Sequence, residues 1–268
     1  MREGGIRGPI GIFDSGIGGL SLLRASVAEL PHESFIYVAD SAKAPYGDRP
    51  VEWILQRATQ IVEFLVGQGC KAVVIACNTV TMVAVSALRR RFDVPIIAIE
   101  PAIKPAAALT KSGAIALMAT STTARSDTLR RLCTQFAQGV DVHVIPCPGL
   151  ADRVEALDLA SSGLRADLGR LLAPALEAGA DVLVLGCTHY PFLMDSLRTV
   201  TPSSMTIIDP SSAVAAQVRR RISALRLPAD ESTGDAIVYW TSAAPEHLRR
   251  AVRELLGQDA RDVRPLTF

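Results

Sequence analysis

Short unbroken runs of β-branched and apolar residues recur along the chain, each closed by small or polar positions. They are Ile10–Phe13, Phe35–Ala39, Ala72–Ala76, Ile96–Ile99, Ala114–Ala119, Val142–Ile145, Val182–Leu185 and Thr206–Ile208. Runs of this length without alternation predict strands covered on both faces, as in a parallel sheet. The segments between them have a different period. In Val51–Val66 the apolar positions Trp53, Ile54, Ala58, Ile61, Val62 and Leu65 form one helical stripe. Thr79–Phe92, Ser126–Ala137, Leu164–Ala178 and Ser211–Leu225 read the same way. Strand–helix alternation predicts an α/β protein with right-handed crossovers.

Two strands echo each other. Lys71-Ala-Val-Val-Ile-Ala-Cys77-Asn78-Thr79 runs into a helix and then to Asp93–Pro101. Asp181-Val-Leu-Val-Leu-Gly-Cys187-Thr188-His189 runs into a helix and then to Ser204–Pro210. One strand upstream of each, Gly11–Ser15 and Gly113–Ser121 hold corresponding places. The pattern predicts two pseudo-symmetric, doubly wound parallel-sheet domains with a cleft between them. Residues 1–99 with 211–268 would form the first, its last elements being Ser211–Leu225, Ile237–Trp240 and Ala244–Gly257. Residues 100–210 would form the second. Open parallel sheets bind ligands beyond the carboxyl ends of their strands, where N–H groups of helix starts face the crevice. Cys77 and Cys187 both fall at such a position.

Composition narrows the classes. A chain of 268 residues, 49% hydrophobic and 21% charged, is neither disordered nor collagen-like. With 28 Lys and Arg against 27 Asp and Glu, the net charge of +1 leaves no electrostatic footprint for nucleic acid or an anionic membrane. The apolar runs fall far short of the roughly 20 residues that span a bilayer, and Met1–Pro9 has no apolar signal core. A soluble cytoplasmic protein is expected. Five cysteines, at 70, 77, 133, 147 and 187, form no CxxC pair and no even set, so reduced thiols are expected. Cys70, Cys133 and Cys147 read as packing residues, and Arg89–Arg91 and Arg219–Arg221 as solvated helix faces. Lys43, Lys71, Lys104 and Lys111 have no distinctive setting, a mild argument against a pyridoxal Schiff base.

Three chemistries suit thiols at two strand ends. Cys77, Cys187 and His189 offer three zinc ligands, though no paired spacing fixes their geometry. Cys187 with His189 offers a nucleophile and base, which leaves Cys77 without a task. Racemisation at a carbon acid uses both thiols. A single base blocks its own return path, whereas two acid–base groups on opposite faces remove one proton and supply another. A free thiol titrates near ~8.5, so each then needs a neighbour that helps form or relay its thiolate.

Six blocks carry a resemblance across nearly the whole chain: Gly11-Ile-Phe-Asp-Ser-Gly-Ile-Gly-Gly-Leu20, Tyr37-Val-Ala-Asp40 leading to Pro45-Tyr-Gly47, Ala76-Cys-Asn-Thr79, Glu100-Pro101, Cys147-Pro148 and Gly186-Cys-Thr-His-Tyr-Pro191. In this order they resemble the glutamate racemases of the cofactor-independent aspartate/glutamate racemase superfamily. The resemblance implies that Cys77 and Cys187 are the catalytic acid–bases, with Asp14 assisting the first and His189 the second. It further implies an acidic residue after the Cys-Pro block, a place that Glu155 fits, with Ala-Asp-Arg before Val154 where the family more often has Val-Pro-Leu. Asp40 is a weaker candidate. Substrate contacts would come from Asp14, Ser15, Tyr46, Gly47, Asn78, Thr79, Thr188 and His189. Short donors of this kind, with helix-start N–H groups, suit the two carboxylates of glutamate. Gly16, Gly18 and Gly19 would let the backbone turn tightly against the ligand, and they form no dinucleotide fingerprint. Asp14 and Ser15 also read as a helix N-cap, and Tyr46 as the anchor of its turn.

The resemblance thus implies an enzyme without cofactor or metal that interconverts L- and D-glutamate, a peptidoglycan precursor, in the bacterial cytoplasm. Its partner is the small-molecule substrate, with no nucleic acid and no membrane, and it is compatible with a homodimer. The alternatives are a two-cysteine racemase for aspartate or another acid, and a Cys–His hydrolase.

Overall fold

A computed structural model of the chain describes residues 8–224 and 237–268. Met1–Arg7, the larger part of the N-terminal stretch Met1–Pro9, and the final Leu225 of the predicted helix Ser211–Leu225 lie outside the described residues. Among those described, ten strands make two wholly parallel sheets. The first contains β1 (Ile10–Asp14), β2 (Phe35–Ala39), β3 (Ala72–Ile75), β4 (Ile96–Ala98), β9 (Ile237–Thr241) and β10 (Asp262–Pro265), in the order β10-β9-β2-β1-β3-β4. The second contains β5 (Ala114–Ala119), β6 (Asp141–Pro146), β7 (Val182–Leu185) and β8 (Thr206–Ile208), in the order β6-β5-β7-β8. The sub-order β2-β1-β3-β4 and the order β6-β5-β7-β8 are one topology used twice, so β1 corresponds to β5 and β3 to β7. In each, the winding reverses between the first and third strands, and that gap is where an open α/β sheet takes a ligand.

Helices cover both faces. α1 (Leu20–Glu29) packs against α10 (Ser211–Ala224), and α2 (Val51–Gly67) against α3 (Asn78–Arg91). The rest are α4 (Ile103–Leu109), α5 (Ser121–Arg125), α6 (Asp127–Phe136), α7 (Leu150–Glu155), α8 (Ser162–Glu177), α9 (Met194–Val200) and α11 (Pro245–Leu256). Side-chain caps set three of the starts, one of them at α5, where Thr120 Oγ1 accepts the Thr123 N–H at 3.3 Å. Ser126 Oγ accepts the Leu129 N–H at 3.1 Å and Ser161 Oγ accepts the Leu164 N–H at 3.1 Å, each filling one of the donors a helix start leaves free. Among the described residues no helix is long and apolar enough to cross a membrane.

Central strands β1, β2, β3, β5 and β7 are buried along their whole length, as continuous apolar runs require. The expectation of two covered faces fails at β6 and β8, which are half-exposed because each is an edge strand. Lys71 also departs from expectation. It is buried at the start of β3, far from the strand tips, with Nζ 2.5 Å from Glu33 Oε2. Of the arginine runs, Arg91 pairs with Glu63 at the surface, while Arg89 donates to the Ile96 carbonyl at 3.2 Å and so ties α3 to β4.

Candidate active site

The end of β1 delivers Asp14 and the end of β3 delivers Cys77, on either side of the first sheet's reversal point. Cys77 is the N-cap residue of α3, in extended backbone, and its Sγ lies 3.5 Å from Ser15 Oγ. Burial, aided by the charge of Asp14, pushes the Cys77 thiol up to about 12, against the opposing pull of Ser15 and the Val80 N–H. Cys77 therefore rests as S–H. Asp14 is wholly buried, which raises its carboxyl, while the His189 cation draws it back. Its Oδ2 accepts the Gly16 N–H at 3.1 Å and its Oδ1 accepts the Thr188 hydroxyl at 3.1 Å.

The second sheet repeats the arrangement with Thr120 beyond β5 and Cys187 beyond β7. Gly186 is obligatory here, because a Cβ would sit 2.6 Å from the Met118 carbonyl oxygen. Cys187 Sγ is 3.6 Å from His189 Nδ1, and His189 Nε2 is 2.7 Å from Glu155 Oε1. Burial alone would lower the His189 imidazolium, yet its bonds to Cys187 and Glu155 hold it well above the ordinary histidine value. Glu155 is driven the other way. Burial would raise it, but the two histidines His189 and His247 and the Ile17 N–H bring it down to about 2. An ionised Glu155 fixes the proton on Nε2, so Nδ1 either accepts the proton of Cys187 or returns it. Cys187, His189 and Glu155 are thus joined in one chain of polar contacts along which a proton can pass.

Both thiols lie in the seam between the two sheets. Thr188 reaches across to Asp14, Ser21 Oγ donates to the Thr188 carbonyl at 3.2 Å, and the Ile17 N–H donates to Glu155 Oε1 at 2.8 Å. On the other flank, the Thr79 and Thr120 hydroxyls are 3.0 Å apart, and the Gly47 carbonyl accepts from Thr122 N–H at 3.0 Å and Thr122 Oγ1 at 2.6 Å. Asp14, Ser15, Cys77, Asn78, Thr79, Cys187, Thr188 and His189 are all at most 6% exposed. A cavity of about 620 Å³ lined by Arg49, Thr122 and Arg125 opens beside the Gly47–Thr122 contact and touches neither cysteine. Both thiols are thus largely shielded from solvent in this arrangement.

Asn78 holds unused hydrogen-bonding capacity beside Cys77. It is 2% exposed, adjoins Cys77, and neither its amide oxygen nor its amide nitrogen has a hydrogen-bond partner among the described residues. Buried amides are normally paired, and this one offers both a donor and an acceptor to a polar substrate.

Several expectations change in detail. The glycines after Asp14 make room for the opposite domain. A Cβ at Gly16 would lie 1.8 Å from Glu155 Oε1, and one at Gly18 would lie 2.4 Å from His189 Nδ1. Gly18→Ala is accordingly expected to keep the fold, seen by circular dichroism, while displacing the relay and lowering turnover by about 10²-fold. Asp14 and Ser15 are not the N-cap of α1, which starts at Leu20 with Gly19 as its cap. The Tyr46 hydroxyl is spent on Asp40, whose other contacts are Arg57 Nε at 2.8 Å and Nη2 at 2.7 Å. With its ring against Trp53 at 5.1 Å, Tyr46 anchors its turn, and Asp40 holds that anchor. Cys147 is buried with Sγ 3.3 Å from the Ile145 carbonyl, a packing position. Among the described residues no three His, Cys, Asp or Glu side chains gather as metal ligands. Two further residues of the seam carry no signal in the sequence motifs: Thr120, which the β1–β5 correspondence matches to Ser15, and His247, which lies in no motif.

The sequence model describing Asp/Glu/Hydantoin racemases matches residues 19–218. A glutamate racemase of Pseudomonas aeruginosa is 49% identical over 251 residues, covering 92% of this chain and 94% of that protein. One of Methylococcus capsulatus is 44% identical over 258 residues, covering 96% and 95%. Among solved structures, glutamate racemase isoform RacE1 of Bacillus anthracis superposes with a TM-score of 0.87 at 28% identity, covering 97% of each chain. The Escherichia coli glutamate racemase, solved with L-glutamate and the activator UDP-MurNAc-ala, gives 0.86 at 30% identity over 97% of this chain and 98% of that one.

Proposed function

The chain belongs to the Asp/Glu/Hydantoin racemase family, and on that premise we propose that it interconverts L- and D-glutamate by passing a proton between Cys77 and Cys187, with no cofactor. One thiolate removes the α-proton from one face of the bound amino acid. The electron pair stays on the α-carbon and its carboxylate, and the opposite thiol then gives its proton to the other face. The thiolate and thiol have now exchanged places. His189 resets the Cys187 side by taking up or returning a proton at Nδ1, with Glu155 holding the charge.

The observation that carries the reading is the use of one topology twice, which sets a cysteine at the same strand end in both domains and buries the pair in one seam beside the unpartnered amide of Asn78. The domain division drawn from the sequence, residues 1–99 with 211–268 and residues 100–210, assigns one cysteine to each side. Ser15, Asn78, Thr79 and Thr188 supply neutral donors for the carboxylates of glutamate, and the helix start at α3 adds backbone N–H groups. Supply of D-glutamate to peptidoglycan synthesis in the bacterial cytoplasm is the cellular role that follows.

Racemisation in D₂O tests the mechanism. Starting from either enantiomer, newly formed product is expected to carry one α-deuteron while early remaining substrate keeps its α-proton, because the base that removes one proton differs from the acid that supplies the other. Equal early labelling of substrate and product would point to one base. A Cys187–His189–Glu155 hydrolase would leave both glutamates unlabelled.

A further inference from the structure

Glu155 uses its two oxygens unequally. Oε1 takes both short contacts, His189 Nε2 at 2.7 Å and the Ile17 N–H at 2.8 Å. Oε2 faces His247 Nε2 at 3.9 Å. His247 comes from α11, next to the first sheet, whereas Glu155 comes from α7 beside the second. The two meet across the seam that holds the thiols.

Helix α11 itself has no use for a cation at this position. His247 lies in the first turn, where the helix dipole disfavours positive charge. The other charges nearby are matched along the helix, Glu246 with Arg249 at 2.9 Å and Arg250 with Glu254 at 2.6 Å. What His247 faces is the outer oxygen of a carboxylate whose side chain is only 14% exposed. A separation of 3.9 Å is too long for a direct hydrogen bond, so the link is a charge contact or runs through one water.

We propose that His247 is a positioning residue of the Cys187 relay: by holding Oε2 of Glu155 across the seam, it keeps Oε1 on His189 and Ile17. The inference rests on the two-thiol reading and extends it to a residue outside every motif. It acts through charge. A cation beside Oε2 limits the rotation of the carboxylate and tempers its pull on the His189 proton, and so sets how readily His189 trades a proton with Cys187. Burial would depress an imidazole at this position, and Glu155 outweighs that, holding His247 above the ordinary histidine value.

The test compares His247→Ala, His247→Gln and His247→Lys in the full chain, with melting temperatures measured alongside. Turnover of glutamate is expected to fall roughly 5- to 10-fold in the alanine and glutamine variants, as suits a part-exposed charge contact. The lysine variant, which restores a cation, is expected to recover most of it. Assays with α-deuterated L- and D-glutamate supply a readout that loss of packing would not move. The isotope effect on kcat/KM should rise for the enantiomer whose deuteron goes to Cys187 and fall for the other, because only one of the two transfers has been slowed. Unchanged turnover, equal shifts for both enantiomers, or a loss that follows melting temperature with both isotope effects constant would overturn the proposal. Absence of racemisation in the wild type would overturn it together with the two-thiol reading. Normal wild-type racemisation with symmetric isotope effects in the variants would remove the role of His247 alone.

Discussion

Cys77→Ala and Cys187→Ala are each expected to lower glutamate racemisation by at least about 10⁴-fold in both directions, the upper end of what one positioned acid–base group contributes. Both directions fail together because every turnover uses each sulfur once, one as acceptor and the other as donor. Burial makes the demand stricter. At 4% and 6% exposure, both positions are largely shielded from bulk water as a substitute proton carrier. Polarimetry from each enantiomer measures the loss, and circular dichroism checks the fold. Retention of a rate within tenfold of wild type by either variant would reject the mechanism. Tolerance of Cys77→Ala alone would favour a nucleophile at Cys187, since the relay on that side would remain whole.

Much of this arrangement is written in local sequence. The buried apolar runs of β3 and β7 end in Cys77 and Cys187 because a strand covered on both faces must stay apolar to its tip, where polar residues first become affordable. Repetition of that pattern marks the two-fold use of one topology. What escapes the sequence depends on distances across the seam. Thr120 resembles an ordinary helix cap and does cap α5, accepting the Thr123 N–H; only its approach to Thr79 shows that it also closes the site. Gly16 and Gly18 look like ligand-facing glycines, but side chains from over a hundred positions later fill the space a Cβ would take. β10 went unseen because an edge strand ending in Pro265 has little apolar patterning to offer. His247 sits in a charged helix with no motif around it, and its meaning comes wholly from Glu155.

Glu155→Gln is expected to be the second most damaging change, lowering turnover about 10³-fold while leaving both thiols in place. The neutral amide cannot hold the His189 cation, so the imidazole loses the fixed proton on Nε2 that lets Nδ1 serve Cys187. Related acid-to-amide changes behind a catalytic histidine act through the same loss of tautomer. Stability provides a second reading with a definite sign. Glu155 falls from 4.5 to about 2 on folding, which at 1.36 kcal/mol for each pH unit is about 3 kcal/mol for a largely buried group. A lowered carboxylate contributes that stability in full above 4.5 and loses it as the pH drops toward 2. His189 is raised above 6.5, so its share is complete below that value and fades only as the pH climbs past its folded value. The pair is therefore at full strength between 4.5 and 6.5. Denaturant melts at pH 6 should show wild type more stable than the glutamine variant by about 3 kcal/mol, and the gap should close as the pH is lowered through 4 toward 2. A gap that stayed constant down to the acid end would mean that Glu155 is held by packing, and its charge would then have no part in keeping the relay together.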